Sequence, residues 1–326
     1  MTVRSGRIAA FRQRGGLLRL GCPIATILAV EATVVAAPAT ARDKPRKCEF
    51  YVSSTGSDSN SGSQNSPLRT IGAASQLVQS GTTVHVAPGT YAGGFMTTTS
   101  GTSSAPITYI SDVPYGAKIV GAGNASVSNA AGWENRGDYV NVTGFEIDGS
   151  GSQATAWAFG FYNGGSHVTF QGNEVHDVMT DPAAYVKLTA HDNGGAGVMM
   201  DNYYGGSDGK VLANVVRNIG PTGWRSYLVH GIYQTETGSV RYNTIHDVVG
   251  SGIHLWHAAH HISITNNTVD GAAGGAGIIV GSGDSGSSST TGDYVVVAAN
   301  IVVNSAASIQ EVRLTITVRV AFTISP

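Results

Sequence analysis

The chain has 326 residues, of which 44 are glycine and only 12% are charged, and its formal net charge is −2. A charge balance this weak excludes a partner held by bulk electrostatics, so we expect neither a nucleic acid nor an anionic membrane as partner. Two cysteines exclude a disulfide-rich scaffold and a cysteine-rich metal site. The abundance of Gly, Ser, Thr, Asn and Val favours strands and turns over helices.

Residues 1–41 are typical of a secretory leader. Five arginines between positions 4 and 19 precede an apolar run centred on residues 24–35, and small residues at 39–41 offer a cleavage site. Glu31 interrupts the run, which is also too short for a membrane anchor. We therefore predict a protein secreted to the extracellular space or the periplasm, without membrane attachment once the leader is cleaved. The alternative is a wrongly assigned start followed by a disordered tail.

The mature chain opens with a predicted strand at Glu49–Val52 and a loop rich in Gly, Ser, Asp and Asn. Ser66 and Pro67 suit the N-cap and first position of a helix of about three turns that ends near residues 80–81. The next strand covers residues 83–87. A single amphipathic helix before a run of strands is typical of a cap over the open end of a solenoid.

Three segments of this opening resemble a known family. They are Tyr51-Val52-Ser53 followed by Gly56-Ser57-Asp58, then residues 66–71 (SPLRTI), then residues 84–91 (VHVAPGTY). The opening is similar to that of secreted right-handed parallel β-helix proteins, including the pectate lyases of polysaccharide lyase family nine, within the pectin-lyase-like superfamily. The resemblance implies an all-β chain that forms a right-handed parallel β-helix with a short N-terminal capping helix. It is specific for the fold and less so for the reaction.

Beyond residue 138 the sequence repeats itself with loose spacing, which is typical of a solenoid whose coils share strands and differ in loops. One column of asparagines precedes a branched aliphatic residue by two positions. The column contains Asn173, Asn214, Asn243, Asn267 and Asn300, with Phe145 in the first coil. Stacked amides at a turn can hydrogen-bond along the stack. His176 and His246 share one repeat position after the column, so we interpret them as turn residues rather than catalytic ones.

A second set of strands opens on Gly, followed by an inward apolar residue and an outward third residue. The third residues are Tyr162, Met199, Tyr233, His254 and Ile279. Neighbouring parallel strands lie about 4.8 Å apart, so Tyr233 and His254 should be adjacent on one outer face. This column therefore predicts where unusual side chains meet.

The outer face of these strands suits a sugar-binding cleft. Its predicted members are Asp201, Arg225, His230, Tyr233, His254, Trp256 and His257, with Tyr203 as a further substrate-binding candidate. Flat aromatic rings match sugar faces, Arg matches a uronate carboxylate, and Tyr and His can transfer protons. The alternative is that the aromatic residues only cover an exposed sheet and the histidines make local hydrogen bonds.

The longest loop, residues 177–194, contains Lys187, which is a candidate base or carboxylate clamp and equally well a solvated surface residue. The resemblance to family-nine pectate lyases implies aspartates on neighbouring coils that bind Ca²⁺, together with a lysine base. That acidic cluster is not found in this sequence, where His254 and Trp256 take its place. Asp192 and Asp201, with Asp284 as a third possible oxygen ligand, are the candidate metal ligands that remain.

We predict one β-helix domain over residues 42–311 and an atypical tail over residues 312–326, which suggests a frameshift or truncation. We expect a monomer that acts on a polysaccharide. The favoured reaction is β-elimination on a uronate-containing polymer, with Tyr233 or His254 as the base and Lys187 in reserve. Arg225 or a bound cation would neutralise the uronate carboxylate, and Trp256 would stack on a sugar ring.

Two alternatives belong to other classes of function. A glycoside hydrolase needs two carboxylates across the glycosidic bond, and Asp201 with Glu236 or Asp284 is the pairing that the sequence offers. Glu236 lies one residue off the outer-face register, which weakens that pairing. A non-catalytic carbohydrate-binding or surface β-helix is the other alternative, because a fold does not imply a function.

Overall fold

A computed structural model describes residues 48–121, 131–151, 157–190, 194–281 and 294–312. Within them three parallel sheets share one core, and each coil of the chain contributes one strand to each sheet in turn. The prediction of an all-β parallel solenoid is confirmed. The predicted leader lies outside the described residues, as does the tail from residue 313 onward, so both stay predictions.

The first coils contain the two strands that open sheet 1 and the capping helix between them. In chain order the elements are β1 (Glu49–Val52), α1 (Ile71–Ser75), β2 (Thr83–Val86), β3 (Gly89–Ala92), β4 (Phe95–Thr97), β5 (Ile107–Ser111), β6 (Ala117–Val120), β7 (Ala131–Asn135), β8 (Val140–Thr143), β9 (Glu146–Asp148), β10 (Phe159–Asn163), β11 (Thr169–Gln171) and β12 (Glu174–Val178).

The later coils repeat the pattern after one inserted helix. They contain α2 (Pro182–Leu188), β13 (Gly195–Met200), β14 (Gly209–Leu212), β15 (Val215–Ile219), β16 (Val229–Gln234), β17 (Gly238–Arg241), β18 (Thr244–Val248), β19 (Ile253–Leu255), β20 (Ile262–Thr265), β21 (Thr268–Ala272), β22 (Ala276–Gly281), β23 (Val296–Ala298), β24 (Ile301–Val303) and β25 (Ala307–Val312).

Each sheet takes every third strand. Sheet 1 has the order β1-β2-β5-β8-β11-β14-β17-β20-β23, sheet 2 runs from β3 to β24, and sheet 3 runs from β4 to β25. All of the pairings between the described strands are parallel, for example Phe161 with Val198 and Val198 with Ile232 on sheet 3. These three side chains are fully buried, and alternation along each strand places such residues in the common core.

The turn between sheets 1 and 2 is built on the predicted asparagine column. The amide oxygen of Asn243 accepts from the backbone N–H and the side-chain amide of Asn214, at 2.9 and 3.0 Å. Its own amide nitrogen donates to the carbonyl of Val211 and to the side chain of Asn267, both at 2.9 Å. The same pattern continues to Asn300, so the predicted ladder is confirmed and its buried amides are paired.

The glycines of sheet 3 make room for the branched aliphatic residues that follow the asparagines. A Cβ on Gly197 would lie 2.5 Å from a Val216 methyl carbon, and one on Gly252 would lie 2.4 Å from a Val269 methyl carbon. These distances are far below van der Waals contact. The two sequence columns are therefore one packing unit, in which an aliphatic side chain fills the space that each glycine leaves.

The capping helix is shorter than predicted and begins later. It covers only Ile71–Ser75, with Thr70 as N-cap, whose hydroxyl accepts from the Ala73 amide at 3.0 Å. The Asp58 carboxylate accepts from the Thr70 amide at 2.8 Å and so fixes the helix start. Ser66, predicted as the N-cap, instead forms an isolated bridge with Ser63. Among the described residues, no helix is long and apolar enough to cross a membrane.

Candidate active site on the outer face of sheet 3

The outward column of sheet 3 has the register predicted from the glycine-initiated strands. Tyr162 pairs with Met199, Met199 with Tyr233, Tyr233 with His254, and His254 with Ile279. Tyr162 and Met199 form a small apolar cluster with Ala131, against which Tyr233 packs. The column therefore brings a tyrosine and a histidine together beside an apolar floor.

Tyr233, His254 and His230 form a compact group. The Tyr233 ring stacks on the His254 imidazole with centroids 5.1 Å apart and planes 25° apart. His254 Nδ1 lies 2.8 Å from His230 Nε2, which is hydrogen-bond distance. His230 is only 2% exposed, and its Nδ1 has no hydrogen-bond partner. His254 therefore meets a ligand through Nε2, since its Nδ1 is engaged with His230.

Both imidazoles of this group are neutral around pH 7. Burial lowers the pKa of His254 to about 4, and the neighbouring His257 acts in the same direction. Burial also lowers the pKa of His230 well below its ordinary value, and His254 adds to that effect. A neutral imidazole carries one N–H and one bare nitrogen, so the pair offers one donor and one acceptor without a charge.

An open cleft of about 310 Å³ lies beside His254. Its walls include Tyr227, Trp256 and Gln310. The Trp256 ring lies over Gly281, where a Cβ would come within 2.4 Å of the indole, and its centroid is 5.7 Å from that of His254. Tyr227 is 84% exposed. An exposed aromatic face beside Tyr233 and the neutral His254 is suited to a sugar ring.

A sequence comparison gives a second line of support for the fold described above. Residues 110–286 match the family described as "Right handed beta helix region", which is more than half of the chain. The chain belongs to this family. The handedness of the predicted solenoid is thereby confirmed. A search of curated protein sequences finds no match.

Solved structures share the right-handed β-helix at low identity. A pectate lyase, Pel9A, is 18% identical with a TM-score of 0.53, over 85% of this chain and 79% of its own. XylC, solved in complex with xylose, is 13% identical with a TM-score of 0.51, over 78% of this chain and 66% of its own. An alginate lyase from Paenibacillus sp. str. FPU-7 is 21% identical with a TM-score of 0.42, over 72% and 74%. The likenesses to Pel9A and XylC show the fold alone.

A second polar cluster lies on the preceding coils of this β-helix, on the N-terminal side of Tyr233. The Tyr162 hydroxyl donates a short hydrogen bond to Asp201 Oδ2, and the Thr235 hydroxyl lies 3.0 Å from Asp201 Oδ1. The Arg136 guanidinium lies 3.1 Å from the Tyr204 ring centroid, and its Nε lies 2.6 Å from the fully buried Glu134. Burial and the Asp201 carboxylate raise the pKa of Tyr162. The Tyr162 hydroxyl therefore stays protonated and holds Asp201 in place.

Glu236 does not reach the outer face. It is 2% exposed, and neither carboxyl oxygen has a hydrogen-bond partner. Burial raises the pKa of Glu236 to about 9, and the carboxylates of Asp201 and Asp208 act in the same direction. A buried acid cannot flank a glycosidic bond, so the Asp201–Glu236 pairing for hydrolysis loses its support. Asp284, the other proposed partner of Asp201, lies outside the described residues.

The remaining predicted site residues are spread over the loops of the β-helix. His257 lies near Tyr233, with ring centroids 6.1 Å apart. Arg225 is exposed in the loop between β15 and β16, and Lys187 is exposed in the last turn of α2. Tyr203 is 80% exposed and contacts Tyr204. No described contact joins Arg225, Lys187 or Tyr203 to His254, so their roles stay predictions.

The described residues do not offer a ready calcium site. Asp201 already accepts from Tyr162, Thr235 and the Tyr203 amide, and Asp192 lies outside the described residues. A separate group on sheet 2, formed by Glu146, Asp148 and His176, has the spacing of metal ligands. The ammonium of Lys118, however, already lies 2.9 Å from Glu146 and 2.7 Å from Asp148. A lysine there already serves as the cation, so these residues do not fit Ca²⁺ as they stand.

Sequence reasoning missed Glu134, Arg136 and Tyr227. Glu134 pairs with Tyr162 and so belongs to the outward column. This coil precedes residue 138, where the repeat begins in the sequence, so the repeat gives it no register. Its Glu-Asn-Arg run nevertheless ends a strand. Tyr227 lies in a loop of variable length, for which the repeat gives no register. The missed residues thus belong to the first coil of the site and to its loops.

Proposed function

We propose that this β-helix protein is exported and cleaves an acidic, uronate-containing polysaccharide by β-elimination, with the reaction at Tyr233 and His254. The observation that carries the proposal is the neutral His254, stacked against Tyr233 and hydrogen-bonded to a buried histidine beside an open cleft. Elimination needs a base at C5 and a group that stabilises charge on the neighbouring carboxylate. This pair can supply both without two carboxylates.

The hydrogen bond to His230 determines which ring nitrogen of His254 carries the proton. Buried His230 Nδ1 has no partner, and an unpaired buried N–H is rarer in proteins than an unpaired buried acceptor. The His230 proton therefore belongs on Nε2, from which it is donated to His254 Nδ1. His254 then carries its own proton on Nε2, toward the ligand. A nitrogen with a pKa near 4 is a weak base, so His254 acts as a neutral donor and Tyr233 as the base.

The reaction follows from these roles. Tyr233, as the phenolate, takes the C5 proton of the uronate, and the C5–H electron pair forms the C4–C5 double bond. The C4–O glycosidic bond breaks, and the leaving oxygen recovers the proton from Tyr233. His254 donates Nε2–H to the uronate carboxylate as negative charge builds up. Trp256 stacks on a sugar ring, and Arg225 provides the charge that draws the carboxylate in. No step is assigned to Ca²⁺.

The test is an elimination assay on the full-length protein. Pectate, alginate and glycosaminoglycans are offered with and without Ca²⁺, and the ultraviolet absorbance of unsaturated uronides is followed. We expect a signal on one polymer class, lowered at least about 100-fold by Tyr233→Phe and about 100-fold by His254→Ala. His254→Gln, which keeps an N–H donor, should retain more activity than His254→Ala.

Matched controls come from the same residue types on other faces. Tyr242 is 62% exposed in a turn, and His85 lies on sheet 1. Tyr242→Phe and His85→Ala should leave the rate within about twofold of wild type. New reducing ends without the absorbance signal would overturn elimination in favour of hydrolysis. Binding of a polymer with neither signal, in a folded sample, would favour the carbohydrate-binding alternative.

A further inference from the structure

A second cleft lies at the corner between sheets 2 and 3, on the other side of the segment 220–228. Its volume is about 340 Å³, and its walls include Asn218, Thr222, Trp224 and Asp247. That volume falls at the lower end of the range for ligand sites, about 300 to 1,000 Å³. Trp224 faces this cleft, whereas Tyr227, three residues later, lines the cleft beside His254. One loop therefore presents an aromatic residue to each of two clefts.

Trp224 is held in place as a platform. It is 39% exposed, and its ring meets the ring of Tyr185 edge-on, with centroids 5.3 Å apart and planes 73° apart. Tyr185 is itself 7% exposed and belongs to α2, whose N-cap Asp181 accepts from the Ala184 amide at 2.7 Å. The backbone beside Trp224 is pinned as well, since the Ser226 amide donates to the Val249 carbonyl at 2.8 Å. A fixed aromatic face loses little entropy when it binds a ring.

The polar groups around Trp224 are mainly acceptors. Asp247 Oδ2 lies 2.7 Å from His246 Nδ1, and the Asn218 amide nitrogen donates to Asp177 at 3.1 Å. This leaves Asp247 Oδ1 and Asn218 Oδ1 to face a ligand, on residues fixed by positive φ angles of 56° and 52°. Among the described residues that line this cleft there is no Lys or Arg. The site is suited to hydroxyl donors and repels a carboxylate.

We propose that the Trp224 cleft is a carbohydrate subsite for an uncharged pyranose. This inference rests on the proposed function and deepens it, because the same polymer then reaches from Tyr233 and His254 across the loop to Trp224. The substrate class becomes a heteropolymer in which an uncharged sugar accompanies the uronate. The ring stacks on Trp224, and its hydroxyls donate to Asp247 and Asn218.

The experiment is calorimetric titration of the full-length Tyr233→Phe protein, which prevents turnover. The probes are neutral oligosaccharides of xylose, glucose, galactose and mannose, and oligogalacturonate for comparison. We expect one neutral series to bind, with the Kd raised about tenfold or more by Trp224→Ala. Trp224→Phe should recover part of the affinity. Tyr294→Ala, at an aromatic residue that is 73% exposed and packs on His261, should change nothing.

Asp247→Asn tests whether the ligand is uncharged. The variant removes the carboxylate charge, and Asn accepts the same positive φ angle. The variant should weaken binding of the neutral series severalfold without weakening that of oligogalacturonate. With Asp247 intact, tighter binding of oligogalacturonate than of every neutral series, lost in Trp224→Ala, would overturn the uncharged class. No binding of any neutral series, or binding that Trp224→Ala does not alter, would overturn the subsite. The proposed function fails separately, if the elimination assay is negative while neutral sugars still bind at Trp224.

Discussion

The asparagine turn and the outer face of sheet 3 are both columns of stacked side chains, yet they obey opposite rules. In the ladder each buried Asn repeats its neighbour, and Asn214 and Asn243 pair both amide groups. On sheet 3 the residue changes with every coil, and the buried Nδ1 of His230 lacks a partner. Repetition with complete pairing stabilises the solenoid, whereas unpaired buried groups are tolerated where a site needs them.

The largest expected effect on folding comes from the ladder. Asn243→Ala removes one acceptor and one donor in a buried turn, and leaves the Asn214 amide and the Val211 carbonyl unpaired. We expect the free energy of unfolding to fall by about 3 kcal/mol, measured by urea denaturation. Asn141→Ala, at a half-buried amide that bonds Thr108 at 3.3 Å, should cost about 1 kcal/mol or less. Equal costs would contradict the special contribution of the buried asparagine ladder to stability.

A smaller effect is expected where the columns meet. In Gly197→Ala the new Cβ lies 2.5 Å from Val216 and 2.9 Å from the Gly231 carbonyl. Overpacking of this kind should lower the free energy of unfolding by about 2 kcal/mol. Val216→Ala opens space at the same point, so a double-mutant cycle should show that the two changes cost less together than their sum. If the costs of the two changes were strictly additive, Gly197 and Val216 would not form one packing unit.

The last effect, which is the smallest when it is taken per pH unit, concerns Glu236 and the pH dependence of stability. Its folded pKa, about 9, lies above the ordinary value of 4.5, so the folded state holds a proton that the unfolded state has lost between these values. Stability should therefore fall as pH rises from 4.5 to 9, by up to about 1 kcal/mol per pH unit. Glu236→Gln should flatten this slope. The same change at the exposed Glu49 should leave the slope intact, and an unaltered slope in the Gln variant would contradict the buried acid.

The sequence predicted what repeats and missed what does not. The Asn column and the Gly-initiated strands determine register by themselves, so the adjacency of Tyr233 and His254 follows from spacing alone. The predicted start of the capping helix was wrong because Asp58, eleven residues before Arg69, fixes the start of α1 by a contact distant in sequence. Trp224 and Tyr227 escaped prediction for a related reason. Loop geometry depends on packing partners such as Tyr185, which local patterns do not specify.

The most direct test of the account is the fate of the solvent oxygen during cleavage. The wild-type protein is incubated with its polymer in heavy-oxygen water, and the reaction is quenched early. The masses of the products are measured by mass spectrometry and compared with those from Tyr233→Phe. The account predicts fragments with a C4–C5 double bond and no solvent oxygen, and none of them from Tyr233→Phe. Solvent oxygen at a new reducing end, or unsaturated products from Tyr233→Phe at the wild-type rate, would contradict it.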